Sequence, residues 1–146
     1  MRGRSTFVFA LLLGTVACGA APERMEVTHA WVRLPAPGLS VAAGYFDIVN
    51  RSATPIELIG ASSDAARSIE MHSESHDGEV MQMRQLDAVA LAPKQTVSFS
   101  PGGTHLMLLG YSGVTSNTIP IRLRFSDGLQ QTVSFEVRTL TGERKQ

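Results

Sequence analysis

The sequence predicts an all-β domain, an antiparallel sandwich or barrel, and three observations carry that prediction. Short segments of strand-like composition recur every ten residues or so, with Gly- and Pro-bearing breaks between them. Several of these segments alternate apolar and polar residues with a period of two, and no long helical periodicity competes with them.

Taken in order, the expected strands are MEVTHAWVR (25–33), VAAGYFDIVN (41–50), PIELIGAS (55–62), RSIEMHSE (67–74), EVMQMRQL (79–86), TVSFS (96–100), THLMLLG (104–110), IPIRLRFSD (119–127) and QTVSFEVRTL (131–140). PAPG ends the first, NRSATP the second, and DG, APKQ, PGG and SDG separate later ones. In the last strand Val133, Phe135 and Val137 share one face and Ser134, Glu136 and Arg138 the other, so one sheet face is core and one is wet. No internal repeat or low-complexity segment interrupts this pattern, and the polar tail at 141–146 is expected to fray.

The first residues, MRGRSTFVFALLLGTVAC, join two arginines to an apolar run from Phe7 to Leu13 and then to small residues. That is the pattern of an export signal over 1–17, too short and wrongly flanked to span a membrane. Thr15-Val16-Ala17-Cys18 resembles a bacterial lipoprotein signal with Thr in place of the usual Leu; cleavage slightly later, around Gly19 to Ala21, is the alternative. Cys18 is the only cysteine, and lipidation at this boundary explains an otherwise unpaired thiol in an exported chain. The organisation expected is therefore a signal at 1–17, a tether at 18–24 and one domain at 25–140, located in the periplasm or cell envelope and held to the membrane through Cys18.

Arg2 and Arg4 are the charged residues of the signal, and losing them leaves 11 basic against 13 acidic side chains. A mildly acidic chain has no electrostatic footprint for nucleic acid. The roughly 129 remaining residues suit a single core, here with no disulfide inside it. A monomer is expected.

Residues 70–84, EMHSESHDGEVMQMR, gather three of the six methionines and two of the four histidines in a polar setting. Core packing would spread methionine among leucines and valines instead. If Asp77-Gly78 forms a two-residue hairpin loop, facing residues sum to 155, and His72 stands opposite Met83. A second pair, His105 and Met107, follows Pro101-Gly102-Gly103; two apart on a strand, they share a face while Leu106 and Leu108 point into the core. His72, Met83, His105 and Met107 are thus a candidate set around one ion. Soft, uncharged thioethers suit Cu(I) and offer little to Mg²⁺, Ca²⁺ or Zn²⁺, while imidazole serves copper in either oxidation state. A thiolate site would bind more tightly but is exposed to disulfide oxidation outside the cytoplasm.

Each of these residues also has an ordinary reading. Met25, Met71 and Met81 fit packing or surface roles, and Met71 follows Ile69 on the apolar parity of its strand. His29 and His76 read as solvated side chains, with His76, like Met71, open as a weak extra ligand. Glu70, Glu74 and Glu79 read as a wet sheet face, Pro101-Gly102-Gly103 as a turn, and Trp31 and Tyr45 as core or rim aromatics. From geometry alone, packing and ligation are both open for Met83 and Met107.

The spacing H-x10-M-x21-H-x-M, from His72 through Met83 to His105 and Met107, resembles that of the periplasmic copper chaperones of the PCuAC family. Ala30-Trp31-Val32-Arg33 is similar to the family's A-W-x-R, Ala42-Ala43-Gly44-Tyr45 to its A-A-G-Y, and residues 101–108 to its P-G-G-x-H-x-M-L. The resemblance implies a cupredoxin-like, Greek-key β-sandwich that binds one Cu(I) through His72, Met83, His105 and Met107. It further implies delivery to copper sites of respiratory oxidases, notably the CuA centre of cytochrome c oxidase, or to another copper assembly protein. The chain ends at Gln146 without the Met- and His-rich tail of some relatives, so a second, Cu(II) site is not expected. The anchor expected at Cys18 also sets it apart from freely soluble relatives.

Other functions fit less well. Blue and purple copper centres need cysteine thiolate, and no cysteine follows position 18. There is no G-x-S-x-G or H-E-x-x-H, and four histidines are too few for a multi-histidine oxidase, so no enzyme is expected. The alternative is an envelope lipoprotein whose sandwich binds another protein and no metal.

Overall fold

In the computed structural model, which describes residues 24–78, 80–113 and 115–139, ten strands follow one another. They are β1 (Met25–Arg33), β2 (Val41–Asn50), β3 (Ile56–Ser62), β4 (Ser68–Asp77), β5 (Val80–Leu86), β6 (Val89–Leu91), β7 (Thr96–Phe99), β8 (Thr104–Leu109), β9 (Thr118–Phe125) and β10 (Gln130–Arg138). The signal at 1–17, Cys18, the tether up to residue 23 and the tail at 141–146 lie outside the described residues. No helix occurs among the described residues.

Alternation produces the wall. In β9, Ile119, Ile121 and Leu123 are fully buried and Phe125 nearly so, while Thr118, Pro120, Arg122 and Arg124 are exposed. Seven strands close into a barrel in the order β4-β8-β2-β1-β10-β9-β3, and the pairing of Ala61 with Ile69 joins β3 back to β4. β5, β6 and β7 attach outside this ring, to β4, β3 and β2. Inside, Phe46 stacks on Phe99 at 4.3 Å between centroids and meets Phe135 edge-on at 5.5 Å. These contacts link three strands distant in sequence.

The expected antiparallel pairing holds with one exception. β1 and β10 run parallel, with Trp31 facing Glu136 and Arg33 facing Arg138. A closed ring with an odd number of strands cannot alternate direction throughout, so one neighbouring pair has to be parallel. β6 was not among the expected strands because three residues are too few to show alternation; it is held by pairing with β3 and by the fully buried Leu91. The NRSATP break is likewise more than a turn. Asn50, fully buried, donates through Nδ2 to the carbonyls of Thr54 (2.8 Å) and Leu91 (2.9 Å) and accepts at Oδ1 from the backbone N–H (2.9 Å) and Oγ (2.7 Å) of Ser52.

β4 does two jobs. Its first half, from Ser68 to Ser73, is barrel wall against β8, and its second half runs on with β5 as a hairpin beyond the ring. The facing pairs of that hairpin sum to 157 rather than 155: His72 faces Gln85, Glu74 faces Met83 and Asp77 faces Val80. Gly78 follows the last paired residue of β4 and takes φ +64°, a conformation that favours glycine. Asp77 is therefore the last paired residue instead of the first loop residue. The slip is two residues, so every side chain keeps its face.

Candidate metal centre

The outer face of β4, β8, β2 and β1 carries most of the candidate side chains because their neighbours in sequence face inward. Met71, Leu106 and Leu108 are buried in the core, which turns Glu70, His72, Glu74, His105 and Met107 outward. Register then aligns them in rows. His72 faces His105, and Trp31 faces Tyr45; Glu70 faces Met107, which in turn faces Ala43. The four rings form one continuous line, with centroid separations of 4.6 Å for Trp31–Tyr45, 6.3 Å for Tyr45–His105 and 6.2 Å for His105–His72. A bulge in β1 between Thr28 and Trp31 brings Trp31 into this line.

Met83, His105 and Met107 line one cleft of about 350 Å³, together with Ala43, Tyr45, Arg33 and Glu74. His72 stands beside it, its ring nearly parallel to that of His105. The four candidate ligands thus lie on one face within three successive rows. Met83 is 46% exposed and forms the outer lip, while His105 is 5% exposed and forms the floor. Met81, two residues from Met83 on the same face, is displaced outward opposite His76 and is outside the cleft.

Both imidazoles are held by a hydrogen bond. The His105 Nδ1–H donates to the carbonyl of Gly103 at 3.0 Å, and the His72 Nε2–H donates to the Glu70 carboxylate at 2.9 Å. His72 Nδ1 is buried with no hydrogen-bond partner. The Pro101-Gly102-Gly103 segment is consequently more than a turn: Gly102 takes φ +77°, and the Gly103 carbonyl it presents also accepts from the Glu74 backbone N–H at 3.1 Å. Burial pushes the Tyr45 phenol above its ordinary pKa, partly offset by the Arg33 guanidinium, which lies 5.4 Å from the ring centroid. Arg138 covers Trp31 in the same way at 4.8 Å.

Among the described residues, no group of three His, Cys, Asp or Glu side chains is placed to hold a metal ion. The thioethers of Met83 and Met107 at the cleft add soft, uncharged donors to the imidazole of His105, a combination suited to a soft cation. Glu70, expected as wet surface, and Tyr45, expected as a core or rim aromatic, both touch the candidate imidazoles. The period-two rule places Glu70 on the face of His72, but nothing local reveals that Tyr45 neighbours His105 across β2 and β8.

A family model described as "Putative lipoprotein LpqE-like" matches residues 25–137. A curated relative from Leifsonia xyli subsp. xyli, "Putative lipoprotein Lxx21020", is 30% identical, with the match covering 95% of this chain and 91% of that protein. Among solved structures, the copper-bound PCuAC domain from PmoF2 superposes with a TM-score of 0.67 at 27% identity, covering 82% of this chain and 97% of that one. The solution structure of CuI-DR1885 from Deinococcus radiodurans gives a TM-score of 0.61 at 27% identity, over 75% of this chain and 74% of the other.

Proposed function

The chain belongs to the LpqE-like lipoprotein family, and from that premise we propose that it is a copper chaperone of the cell envelope that carries one Cu(I) on His72, Met83, His105 and Met107. The observation that carries the reading is a cleft lined by Met83, His105 and Met107 and free of thiolate, with His72 beside it holding a buried Nδ1 that lacks a partner. The similar PCuAC domain of PmoF2 is copper-bound and the similar DR1885 holds Cu(I), which supports this choice of ion.

The cargo is bound and released by ligand exchange. Neutral thioethers hold Cu(I) without adding charge and cannot be protonated away, whereas the imidazoles must be neutral to bind. Met83, exposed at the lip of the cleft, is the ligand an acceptor reaches first. An acceptor site with thiolates binds Cu(I) more tightly than thioethers do, so transfer runs downhill to it. The CuA centre of cytochrome c oxidase, or another copper assembly protein, is the acceptor proposed. Lipidation at Cys18 would keep the domain, acting as a monomer, near a membrane-bound acceptor.

The test is titration of the purified domain with Cu(I) against a competing chelator. Uptake of one equivalent supports the chaperone; no uptake favours the metal-free interaction module.

A further inference from the structure

Two imidazoles of one metal site need not present the same nitrogen, and here their hydrogen bonds differ. A carbonyl and a carboxylate can only accept, so the ring nitrogen at each contact carries the proton and a neutral imidazole keeps its lone pair on the other nitrogen. For His105, with Nδ1–H on the Gly103 carbonyl at 3.0 Å, that is Nε2. For His72, with Nε2–H on the Glu70 carboxylate at 2.9 Å, it is Nδ1, the atom buried without a partner.

We infer that Glu70 is a positioning residue: it fixes His72 in the Nε2–H tautomer so that Nδ1 is presented to Cu(I), while the Gly103 carbonyl makes His105 present Nε2. This rests on the copper-carrier reading above. Glu70 is well placed for the task because it lies two residues before His72 on the same strand face, and its backbone pairs with that of Met107. The Glu70 carboxylate thus reaches His72 from outside the cleft that Met83, His105 and Met107 line. The His72 side chain is only 14% exposed and that of Glu70 only 32%, so water competes weakly for the bond between them. Oxygen is a poor donor for Cu(I), which argues for Glu70 acting through the imidazole rather than on the ion. Partners of this kind orient the ring and raise its basicity, and their loss typically costs 10–100-fold in metal affinity.

The test combines nitrogen NMR of the metal-free protein, at a pH where the ring-nitrogen shifts themselves report neutral imidazole, with Cu(I) competition titrations of the parent, Glu70→Gln and Glu70→Ala. The parent should show His72 as the Nε2–H tautomer and His105 as the Nδ1–H tautomer. Glu70→Ala should lose the His72 preference and bind Cu(I) about tenfold or more weakly, while His105 is unchanged. Glu70→Gln, whose amide oxygen still accepts the N–H, should keep the tautomer and most of the affinity. A parent in which His72 is the Nδ1–H tautomer overturns the inference, as does an alanine variant with unaltered tautomer and affinity. A glutamine variant as weak as the alanine one overturns it too, and would make Glu70 a direct ligand. Should the alanine variant not fold, the parent tautomers and the glutamine variant still decide the matter. The tautomers are read without copper: a wrong tautomer in a parent that binds Cu(I) sinks only this inference, whereas a parent that binds none sinks the copper reading beneath it.

Discussion

Replacing Met83 and Met107 singly by leucine separates ligation from packing, because the two roles predict opposite changes. Leu is close to Met in volume, and such swaps usually cost under about 1.5 kcal/mol even in a core. Met83 is 46% exposed, so its stability cost should be near zero; Met107 is half-buried on the outer face beside Ala43, and its cost should stay within that bound. Loss of a thioether ligand, in contrast, should lower Cu(I) affinity at least about tenfold, equivalent to about 1.4 kcal/mol. Met81→Leu is the internal control: it shares the hairpin and the face but is 58% exposed and lies outside the cleft. Each variant would be titrated against a Cu(I) chelator and, in parallel, melted without metal. If Met83→Leu binds as tightly as the parent, or if Met81→Leu is the variant that fails, the four-ligand assignment is wrong.

Two further predictions concern the scaffold. Asn50→Ala removes four hydrogen bonds, one of them to the buried Leu91 carbonyl; it should cost about 3 kcal/mol in urea unfolding, and a loss below about 0.5 kcal/mol would show that the NRSATP loop does not depend on it. Asp47 is held below its ordinary pKa of 3.8, first by its hydrogen bond with Ser98 and then by His29. A depressed carboxylate pKa stabilises the fold above the unfolded value and ceases to do so as pH falls through the folded one. The stability gap between the parent and Asp47→Asn should therefore be present above about pH 4 and close as pH falls below it. A gap unaffected by acid would contradict that linkage.

What the sequence made legible was local. Strands and their inward faces follow from period-two alternation, and Leu106, Leu108, Phe135 and Val137 are buried as that rule requires. The Asp-Gly pair located the β4–β5 hairpin but not its register: Gly78 is left-handed, yet Asp77 pairs with Val80 and so belongs to the strand. The face assignment survived because the error was an even number of residues. Nothing local foretold that β8 lies between β4 and β2, so the ring line from Trp31 to His72 and the cleft shared with Tyr45 were invisible beforehand. The hydrogen bonds of His72 and His105 fall between these cases. Each joins residues two apart, Glu70 with His72 and Gly103 with His105, a spacing that could have been read from the strand pattern.

The central claim is that a soft, mixed nitrogen and sulfur site holds a single Cu(I). X-ray absorption at the copper edge, on protein loaded with one equivalent under reducing conditions, tests it most directly. Ligation by His72, Met83, His105 and Met107 gives a Cu(I) edge with two sulfur and two nitrogen neighbours, one sulfur being lost in Met83→Leu and in Met107→Leu. A copper shell of nitrogen and oxygen alone, or one unchanged in both variants, would contradict it.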